Sequence, residues 1–421
     1  MTSSLAASIA RFGKRLTPER LRWGIEVALV LVVTALVLVT RVSRLEMVEI
    51  GGDALNVWEF ARYLLHGGEI PQEWTHHQAR FGLLLPTALV QLFFGYAANN
   101  YYLVPLIAGL VLHVGVYALA RRFSGPIAGA LAVGLLLWFP PFDRASSQIL
   151  PELFGPTFTV CSLLALAAYT EAKSDRAARA WLSFAAVLFF LGYGARISNL
   201  FFAPGLGLLI WRSGRGLRDV FVFAGILLGL FLCETAFYRI FTAESDPISL
   251  LTETHAAAKG SSIIKSTKGF FKIYTTAGEL WQAAIALGMA AAVWGLVYAR
   301  DRRAAWIGAT LFGYLFLQTF VIRKLHPLTP WMRPWPRYLL VLAPFLALSV
   351  ALFVTDVVKR AVPWIARSSA WWGRRPQFGS SFVAFALIVA ATFWMAREKA
   401  GRWGKNQPLR RTPLIQDAIV D

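Results

Sequence analysis

Charge is scarce in this 421-residue chain: only 15% of its residues are Asp, Glu, Lys or Arg, and the 23 acids are outnumbered by 42 Lys and Arg. Apolar residues make up 57%, mean hydropathy is +0.54, and runs of 15 to 22 residues pass almost without a charge. Such runs exclude a soluble domain and predict an all-α polytopic membrane protein. Cysteine is scarcer still. Cys161 and Cys233 both fall in apolar runs, where they read as small core residues and say nothing about redox compartment. The chain also lacks a Gly-rich phosphate loop after a strand, HExxH, paired CxxC and Gly-x-Ser-x-Gly. Nucleotide hydrolysis, zinc proteolysis and elbow-type serine hydrolysis therefore have no signal. Without a Ser/Gly linker, low-complexity run or internal repeat, residues 1–421 read as one integral-membrane domain.

What is present is a series of apolar segments. A basic N-terminus, 1–22, precedes the first, 24–40, and no small-residue cleavage pattern follows it, so it reads as an uncleaved anchor. Further segments lie near 99–120, 126–142, 152–170, 180–195, 197–211, 219–240, 280–299, 305–322, 337–355 and 379–396, giving about 11 spans. The stretch 81–95 is apolar too, but it has 15 residues and carries Pro86, short of the ~20 residues that a crossing helix needs.

Charge decides where that stretch goes. If it does not cross, the stretches 1–22, 121–125, 171–180, 212–219, 299–303 and 356–376 share one side, with 21 Lys/Arg against 6 acids. The loops opposite (41–80, 142–152, 195–199, 239–280 and 323–337) hold 15 against 12. Positive-inside bias then makes the first side cytoplasmic, along with the N-terminus, and most of the net charge of +19 is topology. Nucleic-acid binding is set aside on that ground. The segment 81–95 becomes a juxtamembrane helix in the outer leaflet, closing a first external loop of 41–98, and the tail 397–421 ends outside.

That first loop is the most polar part of the chain. Between Glu49 and Arg80, with Glu46 just upstream, it holds six of the twelve acids placed outside the membrane and three of the six histidines, His76 and His77 among them. Asp53 stands behind two glycines. Other outward loops carry Asp143 and Glu152, Arg196, four lysines between 259 and 272, and the cluster Arg323, Lys324, His326, Arg333 and Arg337. Carboxylates beside an anionic, lipid-linked phosphate suit a base for a hydroxyl acceptor or ligands of a divalent cation, and arginines can bind the phosphate bidentately. Each also has a plainer role. Asp53 after Gly-Gly is a good helix cap; Glu152 after Pro151 suits a helix first turn; Arg196 can snorkel; His113, inside a span, suits a packed, hydrogen-bonded residue; and the loop lysines can meet anionic headgroups.

An acid shortly after the first span, an aromatic-rich helix over Val57–Leu65, an R-x-G-x-x-x-P segment running into LFFGY, an outer-face acid after the third span and the late RYLLVLAPFLAL together resemble the GT-C superfamily. These are integral-membrane glycosyltransferases that use polyprenyl-phosphate sugars, such as protein O-mannosyltransferases and the aminoarabinose transferases of lipid A. The resemblance implies Asp53 as the catalytic first-loop acid, Glu152 or Asp143 as the second-loop acid, and Arg337 as the arginine before the late Tyr-Leu; with Arg337 as ligand of the donor phosphate, the outward cations Arg196 and Lys324 are candidates to join it. The polar first loop itself offers His76, His77 and Arg80 for acceptor or substrate binding. Ala54 follows Asp53 where a second acid is usual, and a Glu stands in a place usually held by Asp, so a divalent cation (Mg or Mn) on Asp53 and Glu152 stays open.

The resemblance further implies a multi-pass protein of the cell membrane, in a bacterium the cytoplasmic one, with its active site on the periplasmic face. A sugar would pass, with inversion, from a polyprenyl phosphate to a hydroxyl of an outer-face lipid, glycan or protein. Membrane lipids are then its medium and partners. A polyprenyl-linked glycan flippase would gather similar cations, and so would a ligase moving whole glycan chains. Transporters place charges at mid-membrane depth, however, and here only Glu26, His113 and Glu234 fall within spans.

Overall fold

The computed structural model describes residues 18–42, 53–67, 79–137, 139, 142, 147–241, 269, 272, 279–297, 302–320, 322–324, 329–330 and 336–368. The described chain is helical apart from one small antiparallel hairpin, β1 (Ile322–Lys324) with β2 (Thr329–Pro330). The first helix, α1 (Pro18–Val42), has proline in its first turn and, after Gly24, neither proline nor glycine until it ends. Leu31, Val32 and Val39 point outward, whereas Glu26, Val37 and Arg41 are buried. An apolar exterior with a polar seam inside is what a helix in lipid requires.

Two short helices follow. In α2 (Asp53–His66) the residues Ala54, Val57, Trp58, Phe60 and Ala61 form the buried stripe that 3.6-residue periodicity predicts. The next, α3 (Phe81–Phe94), packs on α2 and stops at Gly95, whose φ of 82° is open to glycine at little cost. Its 14 residues span about 21 Å, less than the ~30 Å of a hydrocarbon core. Leu85, Leu89, Leu92, Phe93 and Phe94 are exposed along it, as the juxtamembrane placement requires.

The core of the bundle comes next. A 3-10 turn, Ala98–Tyr102, leads into α4 (Leu103–Ser124), which Gly125 reverses into α5 (Pro126–Leu137). Then α6 (Pro151–Glu171) and α7 (Asp175–Ala195) make the most extensive helix pair, tied by Ser162 Oγ donating to the Ala185 carbonyl at 2.8 Å. Ser174 caps α7 by accepting from Ala177 N at 3.2 Å. The chain continues as a 3-10 turn, Ile197–Phe202, then α8 (Ala203–Ile210), a π turn, Trp211–Arg215, and α9 (Leu217–Phe241). Beyond them lie α10 (Glu279–Val297), α11 (Arg302–Phe320), a 3-10 turn, Pro336–Leu342, and α12 (Ala343–Ser368), which packs on α4, α5, α10 and α11.

Among the described residues five helices are long and apolar enough to cross a bilayer: Ala98–Ser124, Pro151–Glu171, Asp175–Ala195, Leu217–Ile240 and Leu339–Arg360. Phe81–Phe94, Pro126–Leu137, Ile285–Val297 and Ala305–Phe320 are apolar but shorter. The expected span at 197–211 is thus a broken rod in which the regular α-helix covers only Ala203–Ile210. The expected last span, 379–396, and the tail 397–421 lie outside the described residues, as does the loop 239–280 for most of its length.

One end of the bundle is stitched by basic residues. Arg121 meets Glu26 at 2.5 Å, Arg122 pairs with Glu171, Tyr169 donates to Asp219 at 2.6 Å, and Lys359 reaches the Ser124 carbonyl at 3.0 Å. The opposite end carries Asp53, Arg80, Glu152 and Arg196.

Candidate functional site

Placement of Asp53 starts with α2. The carbonyl of Trp58 accepts from Gln91 Nε2 at 2.7 Å, which bolts α2 to α3. On the outer flank Tyr96 stacks on Trp58 at 5.5 Å and donates to Glu59 at 2.5 Å, while Arg62 lies 4.6 Å from the same ring. Burial, helped by the Glu59 carboxylate, pushes the Tyr96 phenol up to about 12, so it remains a hydrogen-bond donor throughout the ordinary pH range. Glu59 is thereby engaged. Asp53, the first residue of α2, keeps a carboxylate 36% exposed, with Arg80 Nη1 at 3.9 Å from its Oδ2. At that distance the attraction is coulombic, not a hydrogen bond, and the carboxylate retains a face toward solvent.

Arg80 is almost fully buried, at 5% side-chain exposure, and three contacts hold it. Its carbonyl accepts from Leu83 N at 2.8 Å and Leu84 N at 3.1 Å, starting α3. Two residues on, Gly82 lies so close to Leu191 O and Ala195 N of α7 that no side chain fits there, and Gly194 is shut in by the Phe81 ring. On the other side the carbonyl of Ala79 accepts from Tyr238 of α9 at 3.2 Å.

A second pair sits next door. Arg196, immediately after the Ala195 that abuts Gly82, places Nη1 at 2.5 Å from Glu152 Oε1, with the two side chains 2% and 0% exposed. Glu152 begins α6, and Arg196 ends α7 with its amide bonded to Gly192 O at 3.1 Å. Asn199 closes the junction by donating to the same Gly192 carbonyl at 2.7 Å, and Tyr314 of α11 donates to Ser198 at 3.2 Å. The segment entering α6 is fixed by Ile149 N donating to the Tyr101 hydroxyl at 3.1 Å.

The structure therefore brings Asp53 and Arg80 together, and Glu152 and Arg196 together, with the Gly82–Ala195 contact between the pairs. Lys324 ends β1 and Arg337 lies in the 3-10 turn that packs against α6. Since α12 reaches the basic end at Lys359, the turn preceding it belongs to the Asp53 end. Asp143, His76 and His77 lie outside the described residues. His113 is packed and hydrogen-bonded, as expected: Nδ1 is 2.6 Å from the Gly109 carbonyl and Nε2 is 3.2 Å from Arg41 Nη2. Sequence alone missed the Glu59–Tyr96 clamp and Tyr238. Tyrosine near a span end reads as interfacial belt, and only the tertiary contact reveals its partner.

The donor chemistry of a divalent-cation site is not met by these residues. The Glu152 carboxylate is closed onto a guanidinium, Asp53 faces one, and no cluster of three His, Cys, Asp or Glu occurs among the described residues.

A model of the dolichyl-phosphate-mannose-protein mannosyltransferase family matches residues 82–238. That range includes Glu152 and Arg196 and stops short of both Asp53 and Arg337. No curated protein matches the sequence. ArnT from Cupriavidus metallidurans bound to undecaprenyl phosphate is similar in structure, with a TM-score of 0.58 at 16% identity over 89% of this chain and 72% of that one. The same enzyme in its apo state gives 0.56 at 17%, over 87% and 72%. The archaeal oligosaccharyltransferase AglB from Archaeoglobus fulgidus, in complex with an inhibitory peptide and a dolichol-phosphate, gives 0.52 at 14%, over 88% of this chain and 55% of that one. At such identities the likeness is one of fold. The resemblance to GT-C enzymes that the sequence motifs carry is borne out by that fold and by the family model.

Proposed function

We propose that the protein transfers a sugar from a polyprenyl phosphate to a hydroxyl acceptor at the end of the bundle that carries Asp53. The observation that carries this is the Asp53 carboxylate itself: a half-exposed acid on a helix bolted in place, beside a buried arginine, in the fold that membrane enzymes handling polyprenyl phosphates share. Binding of undecaprenyl phosphate by ArnT and of dolichol-phosphate by AglB supports a lipid-linked donor here.

Asp53 would take the proton of the acceptor hydroxyl as its oxygen attacks the anomeric carbon from the face opposite the phosphate, which inverts the centre. Arg80 orients that carboxylate. As the glycosidic C–O bond breaks, the electron pair leaves on the polyprenyl phosphate, whose growing charge Arg337 and Lys324 are placed by sequence to meet. Arg196 already spends Nη1 on Glu152, so in the proposed reaction it would serve with its remaining N–H groups. His76 and His77 keep their proposed roles in acceptor or substrate binding and Asp143 its proposed role as a second-loop acid, and no step is routed through a metal. By the positive-inside argument this end faces the periplasm or cell exterior.

The test is to supply purified protein in lipid nanodiscs with a panel of polyprenyl-phosphate sugars and follow release of polyprenyl phosphate. One donor should be consumed. Asp53→Asn keeps the size of the side chain but cannot take a proton, so it should fold and bind that donor while turnover falls by about 100-fold or more. Normal turnover in Asp53→Asn would remove Asp53 from the chemistry, and consumption of none of the panel would remove the function.

A further inference from the structure

Arg80 meets Asp53 only because something holds the backbone at 79–80, and one of the holders comes from far away in the chain. The Tyr238 hydroxyl, 159 residues downstream on α9, donates to the Ala79 carbonyl at 3.2 Å, with both residues buried. This bond acts on a short lever. Arg80 follows Ala79 directly and its own carbonyl starts α3, so moving Ala79 moves the guanidinium that faces Asp53 at 3.9 Å. On the far side the lever is jammed, since Gly82 already touches the backbone of α7 at Leu191 and Ala195. Slack at Tyr238 would have to be taken up at Arg80.

We propose that Tyr238 is a positioning residue for the candidate catalytic centre, acting on Asp53 through Ala79 and Arg80, so that the outer end of α9 sets how well the acid is aimed. The inference rests on the proposed function for its meaning but not for its geometry. Misplacement of a reacting group by about 1 Å can cost on the order of 100-fold in rate, so loss of one anchoring hydrogen bond has a readable effect. Glu234, one turn earlier on the same helix, is also buried and lies close enough to Tyr238 to act on it electrostatically. It borders the relay from the membrane side.

Tyr238→Phe removes the hydroxyl and nothing else. In full-length protein it should lower kcat by roughly 10-fold while leaving KM for the polyprenyl-phosphate donor within about 2-fold. Arg80→Ala should lower kcat at least as far. The double variant should be no worse than Arg80→Ala alone, because both act through one element. Hydrogen exchange gives a readout that needs no activity: the Leu83 and Leu84 amides, which bond to the Arg80 carbonyl, should exchange faster in Tyr238→Phe. Losses that multiply in the double variant would overturn the relay. So would unchanged exchange at Leu83 and Leu84. If the wild-type protein transfers no sugar, the function falls and the exchange measurement alone decides whether Tyr238 positions Arg80.

Discussion

At the scale of single residues, the two acid–arginine pairs are opposites in environment. Asp53 is open enough to do chemistry, whereas Glu152 and Arg196 are sealed at 0% and 2% exposure, where each charge depends on the other. Removing one member of a buried pair leaves an uncompensated charge and typically costs about 3–5 kcal/mol, while replacing both with apolar groups of similar size is often near neutral. Arg196→Ala should therefore destabilise the protein by that amount in detergent unfolding, and Glu152→Leu with Arg196→Met should recover most of it. A double variant that is stable yet inactive would show that the pair has a chemical duty besides its structural one. Asp53 was legible in the sequence because an acid behind Gly-Gly in a polar loop is visible locally. The pairing of residues 44 apart was not: Glu152 after Pro151 looks the same in sequence whether or not a guanidinium comes to meet it.

Among the elements, α3 was the most legible, since a mostly apolar helix of 14 residues with an internal proline is too short to cross. The break at 197–211 had a signal in Pro204, Gly205 and Gly207, but mean hydropathy alone reads the stretch as one span, because a 3-10 turn and an α-helix can be built from the same apolar residue types. What fixes α3 is the backbone contact of Gly82 with Leu191 and Ala195. A methyl group there would meet main chain that cannot rotate aside, and overpacking of this kind costs about 1–3 kcal/mol. Gly82→Ala should lower the unfolding temperature. It should also depress turnover more than Gly109→Ala, where a Cβ meets nothing within 4 Å. Equal effects of the two substitutions would show that α3 adapts and that the fit at α7 is loose.

At the scale of the whole molecule, ion pairs among the described residues gather at two ends. Arg121, Arg122 and Lys359 gather at one, and Asp53, Arg80, Glu152 and Arg196 at the other. If the positive-inside argument is right, a membrane-impermeant thiol reagent on intact cells should label a cysteine at exposed Asn56 and not one at exposed Ala180, in a background without Cys161 and Cys233. The reverse pattern would invert the orientation. The partners of α1 bear on how the chain is made. Among its described side chains, two buried charges are met from α4: Glu26 by Arg121, 95 residues later, and Arg41 by His113, 72 residues later. At roughly 5–20 residues per second the ribosome needs about 5–20 s to deliver Arg121 after Glu26. Until then neither of these two contacts of the first helix can form. A nascent chain stalled before α4 should then leave α1 extractable and protease-sensitive, and one stalled after α5 should have it locked in place.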